Sequence, residues 1–482
     1  MMVLKDLKPE KVMYFFEEIC KIPHGSGNTK MISDFCVQFA EDRNLKYVQD
    51  EKNNIVIFKP GTAGYENSET VIIQGHLDMV CEKDKDCSVD MEKEGLRLQV
   101  RDGFIEAQGT TLGGDDGIAV AFGLAVLDSN EIEHPPLEVV FTVDEEIGML
   151  GATDFDFSVL KGRTMLNIDS EEEGNLLVSC AGGVTATCHL GINKVKKEGT
   201  LVEIKVDGLL GGHSGVEIDK GRANSNLVMG RFLWELQKYA EYNLVSIEGG
   251  KKDNAIPKET VANILLSAPD YQVVEDMADV FNKTLKQEYR ITDKDIHISC
   301  SKKSNDIFQV MDEKTGNRVI TALLNLPRGI QKMSFDLPGL VQTSLNMGIL
   351  KCTEDEVIMS FSVRSSISSE KLELVSRMEN LMASLGGSVT LNGDYPAWEF
   401  KQDSKLRELM KDIYAEQTGK EAIVQSMHAG VECGIFADRL KGLDCASFGP
   451  DIFDIHTTSE RLPIDSVQRT WDYLLETLKR LK

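Results

Sequence analysis

The stretch DDGIAVAFGLAVLDSN, residues 115–130, limits what this 482-residue chain can fold into more than any other. It reads as a helix that begins at its acids and is apolar on nearly every face. A helix without a polar face has to be covered all round. Short, continuously apolar strands flank it: NNIVIFKP and ETVIIQG before it, LEVVFTV and TMLNID after it. Two amphipathic helices come earlier. PEKVMYFFEEICKI aligns Val12, Phe15, Phe16 and Ile19, and MISDFCVQFAED aligns Ile32, Phe35, Cys36 and Phe39. Helices alternating with continuous apolar strands predict an α/β sheet covered on both faces.

Near residue 186 the texture changes. TATCHLGINKV, TLVEIKVDGL, NAIPKETVANILLSA, DIHISCS and EVIMSFSVRSS alternate like half-exposed strands, with helical stretches between them. This predicts an α+β domain of antiparallel sheet and helices. The α/β texture returns with SKLRELMKDIYAEQTG, which aligns Leu406, Leu409, Met410 and Ile413 and stops at Gly419. In the last helix, Val467, Trp471, Leu474, Leu475 and Leu478 form one stripe. The chain is too long for one ordinary core. The expected organisation is therefore one α/β domain, residues 1–185 and 398–482, interrupted by a large insertion, residues 186–397.

Composition narrows the function classes. Apolar content of 41% and charged content of 27% suit a globular chain. With 53 basic and 78 acidic residues the net charge is −25, which argues against nucleic acid or anionic membrane as partner. Ten cysteines are scattered from Cys20 to Cys445 without a C-x-x-C, and read as reduced core thiols. The start, MMVLKDLKPEKVMYF, lacks an apolar signal core, and no run of 18 apolar residues exists. The expected location is cytoplasmic.

Five strand or loop ends carry chemistry. In VIIQGHLDMV, His76 and Asp78 are two apart and can face one site, an imidazole for a metal and a carboxylate to orient it. Alone, H-x-D is common. In QGTTLGGDDGIAVA, Asp115 and Asp116 open the apolar helix. Capping would occupy one of them, and the other carboxylate can bridge two cations. Its place after the glycines points to Asp115, with Asp116 one residue away. VVFTVDEEIGMLGATDF ends a strand on Asp144, Glu145 and Glu146, a crowding of like charge that needs a reason. TMLNIDSEEEG delivers Asp169, and GPDIFDIHTTSERL delivers His456. Each alone is more simply a turn acid or a structural histidine. Together, His, Asp, Glu, Asp and His on one inferred domain suit two metals about 3.5–4 Å apart. The mixed donor set favours zinc or a similar divalent ion over calcium or magnesium.

The series GHLDMV, GGDDG, DEEIGMLGA, NIDSEEEG, GGHSG and HTTSER resembles the M20 family of metallopeptidases. SCAGG, NAIPK, YPAW, HAGVECG and FGPDI resemble its bacterial aminoacyl-histidine dipeptidase subgroup. The likeness covers nearly the whole chain. It implies a zinc-peptidase-like catalytic domain with a mixed sheet, and a lid or dimerisation domain in the insertion. It implies that His76, Asp115 and Asp169 hold one metal and that Asp115, Glu146 and His456 hold the other. Two zinc ions are the expected cofactors, with cobalt or manganese as alternatives. Asp78 would orient His76, and Glu145 would be general base and acid.

In the insertion the resemblance makes His213 of GGHSG an oxyanion stabiliser rather than a turn histidine. Asn254 and Arg364 would contact substrate, the arginine fork suiting a terminal carboxylate better than a surface ion pair. His428 and Glu432 of HAGVECG fall near the site by analogy, Glu432 binding a substrate amine or capping a turn. The lysine pair before Asn254, in GGKKDNAIP, departs from the pattern. The expected substrate is a small unblocked dipeptide, Xaa-His included. An N-acyl-amino-acid deacylase or carboxypeptidase on the same scaffold would use the same metals and base. A metal-binding protein without catalysis would have no use for Glu145. With His213, Asn254 and Arg364 on the insertion, turnover is expected to bring the domains together by hinge closure or across a homodimer. Asp144 has no assigned role.

Overall fold

The computed structural model describes residues 2–266 and 270–482. Met1 and the end of the NAIPKETVANILLSA stretch, Ser267 and Ala268, lie outside the described residues. The chain forms two compact units: Met1–Cys180 with Phe400–Ser426 and Val431–Lys482, and Ala181–Glu399 with Met427–Gly430.

The first unit is built on an eight-stranded mixed sheet. Its order is Lys46–Gln49, Ile55–Lys59, Leu137–Thr142, Val71–His76, Thr164–Asn167, Asp444–Ser447, Asn175–Cys180 and Ile423–Met427. The strands Leu137–Thr142, Val71–His76, Thr164–Asn167 and Asp444–Ser447 run parallel, and their carboxyl ends share one edge. Gln74 stands opposite both Val140 and Asn167. The leading pair, Lys46–Gln49 and Ile55–Lys59, is antiparallel, so an unbroken parallel sheet does not form.

The apolar stretch is the helix Gly114–Asp128, buried from Gly117 to Leu127. At Gly123 a Cβ would lie 2.8 Å from the Phe141 ring and 3.0 Å from Val139, so the sheet touches the helix backbone. The helix Glu10–Cys20 packs on it from the other side with Val12, Phe15, Phe16 and Ile19 buried. Phe122 stacks on Trp471 of the final helix, Ile464–Arg480, with ring centroids 5.6 Å apart. Covered on each side, the helix has no use for polar residues. Its start differs from the expected capping: Asp115 and Asp116 have non-helical backbone angles, and regular helix begins after them. Leu475, read as part of the stripe on the final helix, is only partly buried.

The second unit carries the antiparallel sheet that the alternating stretches predict. Its order is His297–Met311, Lys194–Asp207, Thr260–Leu266, Tyr242–Gly249, Val341–Cys352, Glu356–Ser365, Gly182–Gly191 and Ser388–Tyr395, with Gly329–Met333 also paired to Val341–Cys352. Burial follows the two-residue period: Val184, Ala186, Cys188 and Leu190 point inward, as do Val202, Ile204 and Val206. The helices Ser225–Leu236, Tyr271–Glu288, Glu313–Asn325 and Ser368–Ser384 contribute buried residues to this unit's core. Cys20, Cys36, Cys180, Cys188, Cys433 and Cys445 are buried, as core thiols would be, whereas Cys81 is exposed and Cys87, Cys300 and Cys352 are partly exposed, so the expectation holds for only part of the set. Among the described residues no helix is long and apolar enough to cross a membrane.

The strand Val71–His76 requires a residue without a side chain at position 75. A Cβ on Gly75 would lie 2.5 Å from Asp116 Oδ2 and 2.6 Å from the Ala119 Cβ. Gly75→Ala is therefore expected to cost about 1–3 kcal/mol through overpacking. Urea unfolding measures this, and an unshifted midpoint would contradict the close approach.

Candidate metal centre

His76 is the last residue of its strand and is buried. Its Nδ1 lies 2.9 Å from the backbone carbonyl of Asp78 and 3.4 Å from Asp78 Oδ1. With Nδ1–H donating there, Nε2 keeps its lone pair for a ligand. Nε2 faces Asp115 Oδ1 at 3.1 Å and Asp169 Oδ1 at 3.4 Å. Asp169 sits two residues beyond the neighbouring strand Thr164–Asn167.

Asp115 and Asp116, joined by a cis peptide bond, face different ways. Asp115 turns Oδ1 to His76 and Oδ2 to His456 Nε2, 3.2 Å away. Asp116 Oδ2 accepts the His76 backbone N–H at 3.0 Å. The first carboxylate thus spans two imidazoles, and the second fixes the strand end that carries one of them.

Glu146 Oε1 lies 2.9 Å from His456 Nε2. The Glu145 carboxylate accepts no hydrogen bond among the described residues, but its backbone is held firmly. Glu145 N–H donates to Asp78 Oδ1 at 3.0 Å and Glu146 N–H to Asp78 Oδ2 at 3.3 Å. Ser26 Oγ donates to Asp78 Oδ2 at 2.7 Å. Asp78 therefore sets both the ring of His76 and the turn bearing the glutamates. Asp144, at φ +55°, accepts the Gly27 N–H through Oδ1 at 2.7 Å, which ties the same turn to the segment containing Ser26.

His456 lies in a loop closed by reciprocal backbone bonds between Phe453 and Arg461. Its φ of +60° is rare for a residue with a Cβ, and its side chain stays 43% exposed. Four residues on, the buried Glu460 carboxylate accepts from the N–H groups of Leu112 (2.8 Å), Gly113 (3.1 Å) and Gly114 (2.8 Å). One side chain thus docks the His456 loop onto the glycine turn that presents Asp115. Nothing local in HTTSER distinguishes Glu460 from a solvated acid; its partners lie some 346 residues away in sequence.

Ligand atoms of His76, Asp115 and Glu146 lie within 4.8 Å of one another, as do those of His76, Asp116 and Asp169. Carboxylates outnumber imidazoles, and the electrostatics reflect it. Burial works against protonating His76, but Asp115, Asp169 and Asp78 outweigh it and hold its pKa well above the usual imidazole range. Asp115 and Glu146 push His456 up to about 10. Burial pushes Glu145 up to about 9, with Asp169, Glu432 and Glu146 adding to it against the pull of His76. Burial also raises Asp169, and Glu171 to about 8. Imidazole nitrogens and carboxylate oxygens converging in a site with excess negative charge fit divalent cations of the zinc type.

The remaining candidates belong to the second unit, apart from Glu432. His213 pairs with Ala255 in a two-stranded ribbon, and Ser214 N–H donates to the Asn254 carbonyl. His213 Nδ1 accepts from the N–H groups of Gly215 and Val216, both at 3.2 Å, so the ring proton sits on Nε2. Arg364 is 8% exposed, donates from Nη1 to Tyr395 Oη at 2.9 Å, and has no acidic partner among the described residues. It is not the surface ion-paired arginine that the sequence left open. His428 Nε2 is 2.7 Å from Ser344 Oγ, and burial, with Arg364, pushes its pKa down to about 4. A Cβ at Gly215 would lie 2.7 Å from the His428 carbonyl, 2.9 Å from the His213 ring and 3.2 Å from Arg364 Nε, so these three gather around one glycine. Asn254 and the lysine pair Lys251–Lys252 are exposed. Glu432 corrects the sequence reading: it lies in the first unit at 0% exposure, with Oε2 bound by Gln74 and Thr142. An interior carboxylate with those partners is neither open to a substrate amine nor a turn cap.

Residues 72–480 match the peptidase family M20/M25/M40. The chain is 34% identical over 480 residues to the cytosol non-specific dipeptidase of Escherichia coli (strain K12), covering 99% of each. The crystal structure of aminoacylhistidine dipeptidase from Vibrio alginolyticus is similar with a TM-score of 0.94 and 34% identity, over 99% of this chain and 97% of that one. The aminopeptidase PepT of Bacillus cereus shares the fold with a TM-score of 0.57 and 16% identity, over 98% of this chain and 99% of that one.

Because Asp78 orients His76 and both glutamates, Asp78→Ala is expected to lower divalent-cation affinity by about 10- to 100-fold. Competition against a chelating dye measures it; unchanged affinity would remove Asp78 from this role.

Proposed function

This chain belongs to peptidase family M20/M25/M40, and we propose that it hydrolyses unblocked dipeptides, Xaa-His among them, using two divalent metal ions and Glu145. The observation that carries the reading is Asp115, whose two oxygens face two different histidines beside the unengaged Glu145 carboxylate. His76 and Asp169 would share one cation with Asp115, and His456 and Glu146 the other. Zinc suits this donor set, with cobalt or manganese as alternatives. When bound, the cations supply Lewis acidity towards water and the scissile carbonyl, and the positive charge that keeps Glu145 ionised.

In the proposed reaction, the Glu145 carboxylate takes a proton from water as the water oxygen attacks the scissile carbonyl carbon. The same carboxyl then gives that proton to the departing amine, and the C–N bond breaks to leave two amino acids. Asp78 keeps Glu145 in place through its backbone N–H. His213 donates from Nε2–H to the developing oxyanion, supported by the two backbone N–H groups that occupy its Nδ1. Arg364 receives the substrate carboxylate, supported by its burial without an acidic partner. Asn254 and His428 complete the substrate contacts. A cytoplasmic place of action is supported by the designation of the Escherichia coli relative.

A panel of dipeptides with chelated and metal-restored protein tests the activity. Ala-His is expected to be cleaved after restoration and N-acetyl-histidine to resist, whereas the reverse preference would indicate a deacylase. Glu145→Gln should keep both metals and lose about 10²–10⁴-fold in kcat. Glu146→Gln should weaken metal binding itself. Equal metal loss in both variants would contradict the division of labour.

A further inference from the structure

Beneath the metal centre, four buried polar side chains join elements that are far apart in sequence. Gln74 belongs to the strand ending in His76, Thr142 to the strand leading to Glu145 and Glu146, and Asn167 to the strand leading to Asp169. Asn167 Nδ2 donates to Gln74 Oε1 at 2.5 Å. Gln74 Nε2 donates to Glu432 Oε2 at 2.6 Å and to Thr142 Oγ1 at 3.2 Å. Thr142 Oγ1 lies 2.6 Å from the same Glu432 oxygen. Glu432 opens the helix Glu432–Arg439, which is anchored by Phe436 against Phe155 and Phe157.

An apolar interior would be simpler. Burying a carboxylate is costly, and Glu432 Oε1 has no hydrogen-bond partner among the described residues. What this arrangement retains is one oxygen that accepts from two adjacent parallel strands at once. The third strand is reached through Gln74, which stands opposite Asn167 in register. Gln74, Thr142 and Asn167 each lie two to four residues before a residue of the metal centre. The backbone ladder already sets the register of these strands, and the side-chain hydrogen bonds add a directional tie across their ends. Because ligand geometry must hold within a few tenths of an ångström, a small shift of the strand ends at this layer would reach the ligands directly.

We infer that Glu432 is a positioning residue that ties the ends of three strands together and thereby tunes the affinity of the metal centre. The inference rests on the two-metal reading above, but its primary test needs no substrate. Zinc affinity is measured by competition with a chelating dye on purified full-length Glu432→Leu, Glu432→Gln and Thr142→Val, together with thermal unfolding. Glu432→Leu is expected to weaken zinc binding at least tenfold. It should lower kcat for Ala-His by a similar factor with KM within threefold. Glu432→Gln, whose amide oxygen still accepts from both donors, should recover most of the lost zinc affinity. Thr142→Val removes one donor at nearly constant volume and should weaken binding by about threefold or more.

Wild-type zinc affinity in Glu432→Leu, even with a lowered melting temperature, would make the network merely structural and overturn the inference. Equal loss in the Gln and Leu variants would overturn it as well, since the charge rather than the acceptor would then matter. If Glu432→Leu does not fold, Thr142→Val decides, and wild-type affinity there refutes the clamp. A wild-type protein that binds zinc but cleaves no dipeptide would sink the proposed activity and leave this inference to the binding data.

Discussion

The first unit's functional geometry depends on the Asp78 carboxylate. It stands beside His76 Nδ1, accepts from the backbone of Glu145 and Glu146, and takes a third hydrogen bond from Ser26. A strand end, a turn and a loop meet on two oxygen atoms. Because those bonds go to backbone N–H groups, the turn is fixed whatever its side chains carry. The glutamate carboxylates are then free to face the site, one towards His456 and one without a partner among the described residues.

Two further carboxylates repeat this use of buried negative charge outside the proposed metal ligands. Glu460 gathers the N–H groups of the glycine turn before Asp115. Glu432 gathers donors from two strands. Each lies a layer behind the proposed ligands, and each exchanges hydration for oriented donors. The acids at the front have no such donors. Burial and mutual repulsion raise Glu145 and Asp169, and only the histidines draw Asp115 the other way. Cations are what such a front requires.

Much of this was legible because it is local. The apolar helix, the continuous strands and the switch to two-residue alternation are properties of ten or fifteen neighbouring residues. His76, Asp115, Glu146, Asp169 and His456 stood out because strand and loop ends in an α/β sheet converge on one edge. In the structure His76 lies beside Asp115 and Asp169, and His456 beside Asp115 and Glu146. Asp116 was a near miss with a different duty, holding the His76 N–H. Asp144, Ser26 and Glu460 passed unnoticed or unassigned because a polar residue in a polar loop carries no local signal of its distant hydrogen-bond partners. Glu432 was placed near the site by family analogy, which carries no sign of its burial against Gln74 and Thr142.

The sequence by itself determined the alternation of elements, the two textures of the chain, the family likeness and the residue types of the proposed metal centre. Periodicity and motif order are written in adjacent residues. Tertiary structure alone decided which carboxylates face the centre and which hold backbone behind it. Gly114 and Glu460 are 346 residues apart, and Gln74 and Glu432 are 358. A carboxylate's role depends on which donors surround it and whether water reaches it, and only folding brings those donors within 3 Å.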